Sequence, residues 1–285
     1  MKVAKTIKLV RALVSAARKA SKKIGFVPTM GALHKGHIFL IDRCVKNGSF
    51  TVVSIFVNPT QFGPREDLSK YPRPLKADLK ICKNHGVDVV FVPSPEEMYG
   101  PGNLTWVNVE KLSNLLCGRF RLGHFRGVAT VCTKLFNIVA PDVAYFGQKD
   151  AQQLIVIKRM VADLNFPLKI VACPTIREAN GLALSSRNNY LSPQQKKDAT
   201  GIYRSLQTAR KMINAGVKNP KTITARMRKI LSSANSLTGI DYISIVDAET
   251  LEDLRRIAGR ALVAVAARFG HTRLIDNILV DARKR

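Results

Sequence analysis

The sequence predicts the α/β class: a parallel sheet with helices on both faces, followed by a smaller C-terminal α+β domain. Three observations carry this reading. Over the first 175 residues, short apolar and β-branched runs alternate with helical periodicities, and most of the runs are apolar throughout, as strands buried on both faces require. Past Arg187 the pattern changes to two long helices and then three strands. Finally, His34-Lys35-Gly36-His37 stands where the run Ile24-Gly25-Phe26-Val27 hands over to a helical pattern of Ile38, Leu40, Ile41, Cys44 and Val45. In open α/β sheets, ligands bind beyond such strand ends.

In chain order, Ile7, Val10, Leu13, Val14 and Ala17 fall on one face of an amphipathic helix. The run Leu9–Val14 mimics the apolar part of a secretion signal, but Arg11 interrupts it. Strands are expected at 24–28, 51–57, 88–92, 143–147 and 168–173, with helices near 36–47, 74–85, 126–140 and 150–164. Leu104–Val109, with Trp106, reads as a short hairpin strand. Ser192-Pro193 caps and opens a helix to about Ala215. A second helix is expected near 221–234, then strands at 241–246, 261–268 and about 273–280. The boundary region, 176–190, divides the chain into domains 1–176 and 177–285.

Bulk properties exclude several classes. No apolar stretch approaches the roughly 18 residues that span a bilayer. Five scattered cysteines (44, 82, 117, 132 and 173), never in a Cys-x-x-Cys pair, argue against a disulfide framework and a zinc site, and fit a reducing cytoplasm. The net charge of +26 would attract nucleic acid, anionic membrane or anionic metabolites. Its basic residues are nevertheless spread from Lys2 to Arg285, without the aromatic interleaving of an RNA-binding sheet, and read best as a general compositional bias.

Four clusters could carry chemistry. Two imidazoles three residues apart, framing Gly36 at a helix N-terminus, suit a nucleotide's phosphates, through hydrogen-bond donation and the helix's unpaired N–H groups. Zinc is the rival, without a third ligand nearby in sequence. Asn58-Pro59-Thr60-Gln61 either merely ends a strand or offers amides to a hydroxylated acid. Gly147-Gln148-Lys149-Asp150 is either a solvated cap or a strand end whose lysine reaches phosphate, with Gln153 on the next helical turn. Ser185-Ser186-Arg187-Asn188 is either an ordinary junction or a phosphate closure. The loop Cys117–Phe125, basic and glycine-punctuated, names no chemistry by its spacing.

Taken together, these stretches closely resemble the pantothenate synthetase (pantoate–β-alanine ligase) family, within the His-x-Gly-His nucleotidyltransferases related to class I aminoacyl-tRNA synthetases. The matching segments are 28–37, 56–63, Glu66-Asp67 with Tyr71-Pro72-Arg73, 123–128, 146–150 and Arg177-Glu178 through Asn188, in order over most of 24–191. The resemblance implies a Rossmann-like sheet and an ATP-dependent ligase that joins D-pantoate to β-alanine through a pantoyl adenylate. It implies ATP contacts at Met30, Gly31, Ala32, Leu33, His34, Lys35, Gly36, His37, Gly147, Gln148, Lys149 and Asp150. Ile176, Leu184, Ser185, Ser186 and Arg187 would complete them. His37 would donate a proton, and His34 and Lys149 would act on the phosphates. Gln61 and Gln153 would hold pantoate with Asn58 lining the pocket, and Gln61 would also meet β-alanine. Mg²⁺ would ride on the ATP phosphates. A cytoplasmic homodimer, free of membrane and nucleic acid, completes the expectation.

Overall fold

A computed structural model of the chain describes residues 1–64 and 66–283. Six strands, β1 (Lys2–Ala4), β2 (Ile24–Thr29), β3 (Phe50–Ile55), β4 (Val89–Phe91), β5 (Val143–Gly147) and β6 (Lys169–Cys173), form one parallel sheet. Their order is β1-β4-β3-β2-β5-β6, so the direction of winding reverses between β2 and β5. Such a reversal opens a crevice beyond the carboxyl ends of the strands. The helices are α1 (Ile7–Lys19), α2 (Lys35–Lys46), α3 (Leu75–Asn84), α4 (Pro95–Met98), α5 (His124–Val139) and α6 (Ala151–Asp163).

Successive strand side chains point to opposite faces, and the packing follows that alternation. Val27 and Tyr145 join Leu40, Ile41 and Cys44 of α2 and Cys82 of α3 in one buried cluster. Their neighbours Phe26 and Phe146 meet Phe136 of α5 edge-on, with ring centroids 6.4 and 6.3 Å apart. Helices therefore cover both faces, which is why these strands read as continuous apolar runs. All five cysteines are free and buried.

Two local expectations change. The three-residue β1, paired to β4, is too short to show a period in sequence. The segment Leu104–Val109 is not a strand: the Val107 N–H bonds Thr130 Oγ1 of α5 at 3.0 Å, and the Arg126 guanidinium lies 4.9 Å from the Trp106 ring centroid. Contacts to one helix hold this segment in place of a ladder.

Helices α7 (Pro193–Asn214) and α8 (Pro220–Leu231) precede β7 (Leu237–Asp247), β8 (Arg260–Phe269) and β9 (Thr272–Asp281), an antiparallel sheet in the order β7-β8-β9. Ser192 starts α7 with a reciprocal cap: its hydroxyl accepts the Gln195 N–H at 3.2 Å, and the Gln195 side chain accepts the Ser192 N–H at 2.9 Å. Ile202, Leu206, Ile223 and Met227 pack on Val263 and Val265. The chain forms two compact units. The first comprises Met1–Ser113, Arg121–Gln148 and Gln153–Pro174; the second comprises Asn114–Phe120, Lys149–Gln152 and the described residues from Thr175 onward. Among the described residues, no helix is long and apolar enough to cross a membrane.

Candidate active site

In the first unit, β3, β2 and β5 lie side by side, and the polar segments 58–61, 30–37 and 147–148 follow their carboxyl ends. After β2 the chain turns through Gly31 at φ 78° and Ala32 at φ 50°. A Cβ on Gly31 would lie 2.9 Å from Asp78 Oδ2 as well as straining the backbone. The buried Asp78 of α3 closes this turn, accepting the Ala32 N–H at 2.9 Å and the Leu33 N–H at 2.8 Å. Burial pushes its carboxyl pKa up, against the pull of those two bonds.

His34 then caps α2. Its Nδ1 accepts the Gly36 N–H at 3.1 Å, while His37 Nδ1 accepts the His34 N–H at 3.3 Å. In the neutral rings both protons therefore sit on Nε2. The two imidazoles lie 4.1 Å apart, centroid to centroid. The turn uses several of its backbone N–H groups internally. The Gly31 N–H goes to Thr29 Oγ1, those of Ala32 and Leu33 to Asp78, and those of His34 and Gly36 to imidazole nitrogens. The two rings are tilted against each other by 38°.

Asn58 is buried and spends every polar valence inside the protein. Its Nδ2 donates to Gln61 Oε1 at 3.1 Å and to the Gly127 carbonyl at 3.2 Å; its Oδ1 accepts from Thr60 at 3.0 Å and Tyr99 at 2.8 Å. It thereby orients the Gln61 amide, whose Nε2 reaches Met30 Sδ at 3.1 Å. The Gln61 backbone is held from the other side. His124 Nδ1 donates to its carbonyl at 2.8 Å, Arg121 donates to His124 Nε2 at 2.9 Å, and Arg121 grips Glu66 through bonds of 2.7 and 2.6 Å. Burial raises the Glu66 pKa, but the bonds and charge of Arg121 outweigh it and hold the carboxyl below its ordinary value. Gln153 is half-buried on the first turn of α6.

In the second unit, Lys149 and Asp150 lie in the turn Gln148–Asp150, with Lys149 Nζ 3.4 Å from Asp150 Oδ1. The Lys149 carbonyl accepts from Asn277 Nδ2 of β9 at 2.8 Å. Residues 176–184 form a small hairpin: the Leu184 N–H bonds the Ile176 carbonyl at 3.0 Å, and Arg177 bridges Ala183. Ser185 then caps the turn Ser186–Tyr190, its hydroxyl accepting the Arg187 N–H at 3.3 Å. Ser185–Asn188 is thus a structured turn.

Sequence reasoning missed Asp78, Glu66, Arg121, His124, Tyr99, Gly127 and Asn277 as parts of these networks. Glu66, Arg121, His124 and Gly127 lie in segments the sequence singled out without giving those residues a role, and Asp78 was legible as a carboxylate on the inward face of a predicted amphipathic helix. Among the described residues, no group of three or more His, Cys, Asp or Glu is arranged to hold a metal ion.

Residues 2–279 match the pantoate-beta-alanine ligase family. A pantothenate synthetase of Acetivibrio thermocellus is 51% identical over 282 residues, covering 99% of this chain and all of that protein. The crystal structure of pantothenate synthetase from Thermus thermophilus superposes with a TM-score of 0.92 at 45% identity, covering 98% of this chain and 99% of that one. A pantoate-beta-alanine ligase from Francisella tularensis, complexed with beta-gamma ATP and beta-alanine, gives 0.81 at 37% identity, covering 98% and 97%.

Proposed function

We propose that this chain, which belongs to the pantoate–β-alanine ligase family, condenses D-pantoate with β-alanine to pantothenate, consuming ATP and releasing AMP and pyrophosphate. The observation that carries this, beside the family match over residues 2–279, is the pair of imidazoles set 4.1 Å apart at the start of α2. The pantoate carboxylate attacks the α-phosphorus of ATP, and pyrophosphate leaves. The amine of β-alanine then attacks the acyl carbon of the adenylate and loses a proton, and AMP departs. No protein nucleophile is needed, so catalysis is positioning and charge stabilisation.

In the first unit, Met30–His37 with Gly147 and Gln148 receive ATP. His34 and His37 donate Nε2–H to oxygens that gain charge during transfer, and His37 supplies the proton. Gln61 and Gln153 hold pantoate, Asn58 keeps the Gln61 amide facing it, and Gln61 also meets β-alanine. In the second unit, Lys149 serves as a point charge for phosphate with Asp150 beside it, and Ile176 and Leu184–Arg187 bind nucleotide. Mg²⁺ arrives on the ATP phosphates as part of the substrate and screens their charge. The family resemblance supports a cytoplasmic homodimer, with no membrane or nucleic acid in the reaction.

The test is pyrophosphate release from ATP and Mg²⁺ with D-pantoate, with and without β-alanine. The expected result is pantoate-dependent release that turns over to AMP and pantothenate once β-alanine is added. A folded protein without pantoate-dependent release overturns the proposal.

A further inference from the structure

Lysine places its charge at the end of four rotatable bonds, so where its backbone is held decides which phosphate oxygens it can reach. Lys149 lies in a turn of three residues that joins a strand end to a helix start. Its carbonyl is taken by Asn277 Nδ2 at 2.8 Å. Asn277 is itself buried in the middle of β9, paired with Ala264 of β8. The side chain before it, Asp276, is buried too; its Oδ1 accepts the Asn277 N–H at 2.8 Å and its carboxylate receives both arms of Arg177, at 2.5 and 3.0 Å. Arg177 is backed by the Tyr203 ring, 4.0 Å from its guanidinium. A rigid line of bonds thus runs from the small sheet to the Lys149 backbone, and two charged groups along it neutralise each other.

From this line we infer that Asn277 is a positioning residue for Lys149, acting in adenylate formation through the lysine's backbone carbonyl. The inference rests on the reading of Lys149 given above. Because Asn277 acts on the backbone and leaves the ammonium in place, its loss misplaces the charge without removing it. The first half-reaction then slows by roughly 10-fold, a fraction of the penalty that misplaced groups can incur. The aminolysis of pantoyl adenylate by β-alanine is unaffected.

The experiment is single-turnover kinetics of both half-reactions on Asn277→Ala, Lys149→Ala and the double variant, with melting curves for each. Asn277→Asp is added as an isosteric variant that sets an acceptor against the Lys149 carbonyl. Leu279→Ala, on the exposed side of the same strand, controls for general damage to β9. The expected result is slow pyrophosphate release in Asn277→Ala and Asn277→Asp, normal aminolysis, and a double variant no slower than Lys149→Ala. Additive effects, equal slowing in Leu279→Ala, or normal rates in both folded Asn277 variants would overturn the positioning role while leaving Lys149 standing. A Lys149→Ala enzyme with normal pyrophosphate release overturns the reading of Lys149 and this inference with it.

Discussion

Asp78 offers the sharpest test of how the His-x-Gly-His turn is held. Its two oxygens take the N–H groups of Ala32 and Leu33 at 2.9 and 2.8 Å, and Ala32 sits at φ 50°, where an alanine carries strain. That strain is about 1–2 kcal/mol, and each orphaned N–H costs about 1–3 kcal/mol. Removing a carboxylate that burial already disfavours recovers part of the loss. We therefore expect Asp78→Ala to cost about 1–3 kcal/mol of stability net. Asp78→Asn keeps the shape but turns an NH₂ toward one of the two donors, at a similar cost. The larger effect falls on function. With the turn free to relax, the two imidazoles shift, and a displacement near 1 Å lowers turnover by about 10²-fold. Urea titration and pyrophosphate release read the two effects separately. If both variants keep wild-type stability and turnover, Asp78 does not hold the turn and the reasoning fails.

Alanine at His34 or His37 is expected to lower turnover by about 10²–10³-fold with the fold intact, as for the loss of an oxyanion donor; unchanged steady-state rates would remove both from catalysis. Gly127→Ala sets a Cβ against the Thr60 carbonyl and 2.8 Å from Gln61 Cα. It should cost about 1–3 kcal/mol and raise the KM for pantoate more than it lowers kcat, because the 58–61 turn must move; a kcat effect with KM unchanged would contradict this. Glu66 is held below its ordinary carboxylate pKa of 4.5 by Arg121. A depressed folded pKa contributes stability above the unfolded value, lost as pH falls through the folded one. Melting curves of wild type and Glu66→Gln should differ above pH 4.5 and converge at lower pH, whereas a pH-independent gap would show that the ion pair is not responsible.

Much of this architecture was legible in sequence because it rests on local periodicity. The runs at 24–28, 51–57, 88–92, 143–147 and 168–173 each became strands, since a strand buried on both faces must be apolar throughout. Ser192-Pro193 and the helical spacing after it likewise specify α7. The His34–His37 pair was visible as a motif because it frames a glycine at a strand–helix handover, where its rings cap α2. Leu104–Val109 misled, since contacts to one helix hold the segment where a hairpin strand would pair in a ladder.

Tertiary structure alone decided how these groups are held. Asp78 is 45 residues from Leu33, and Asn277 is 128 residues from Lys149. No spacing rule connects residues that far apart, because such partners meet only after the sheets and helices have packed. The same packing decided which backbone donors the turn uses internally. Sequence pointed to an anion site at the start of α2, built from imidazole donation and backbone N–H groups together. The folded turn spends the N–H groups of Gly31, Ala32, Leu33, His34 and Gly36 on Thr29, Asp78 and the imidazoles. Sequence thus determined the order of elements and the chemical character of each strand end. The orientation of each functional group depends on hydrogen bonds between distant segments, and those exist only in the fold.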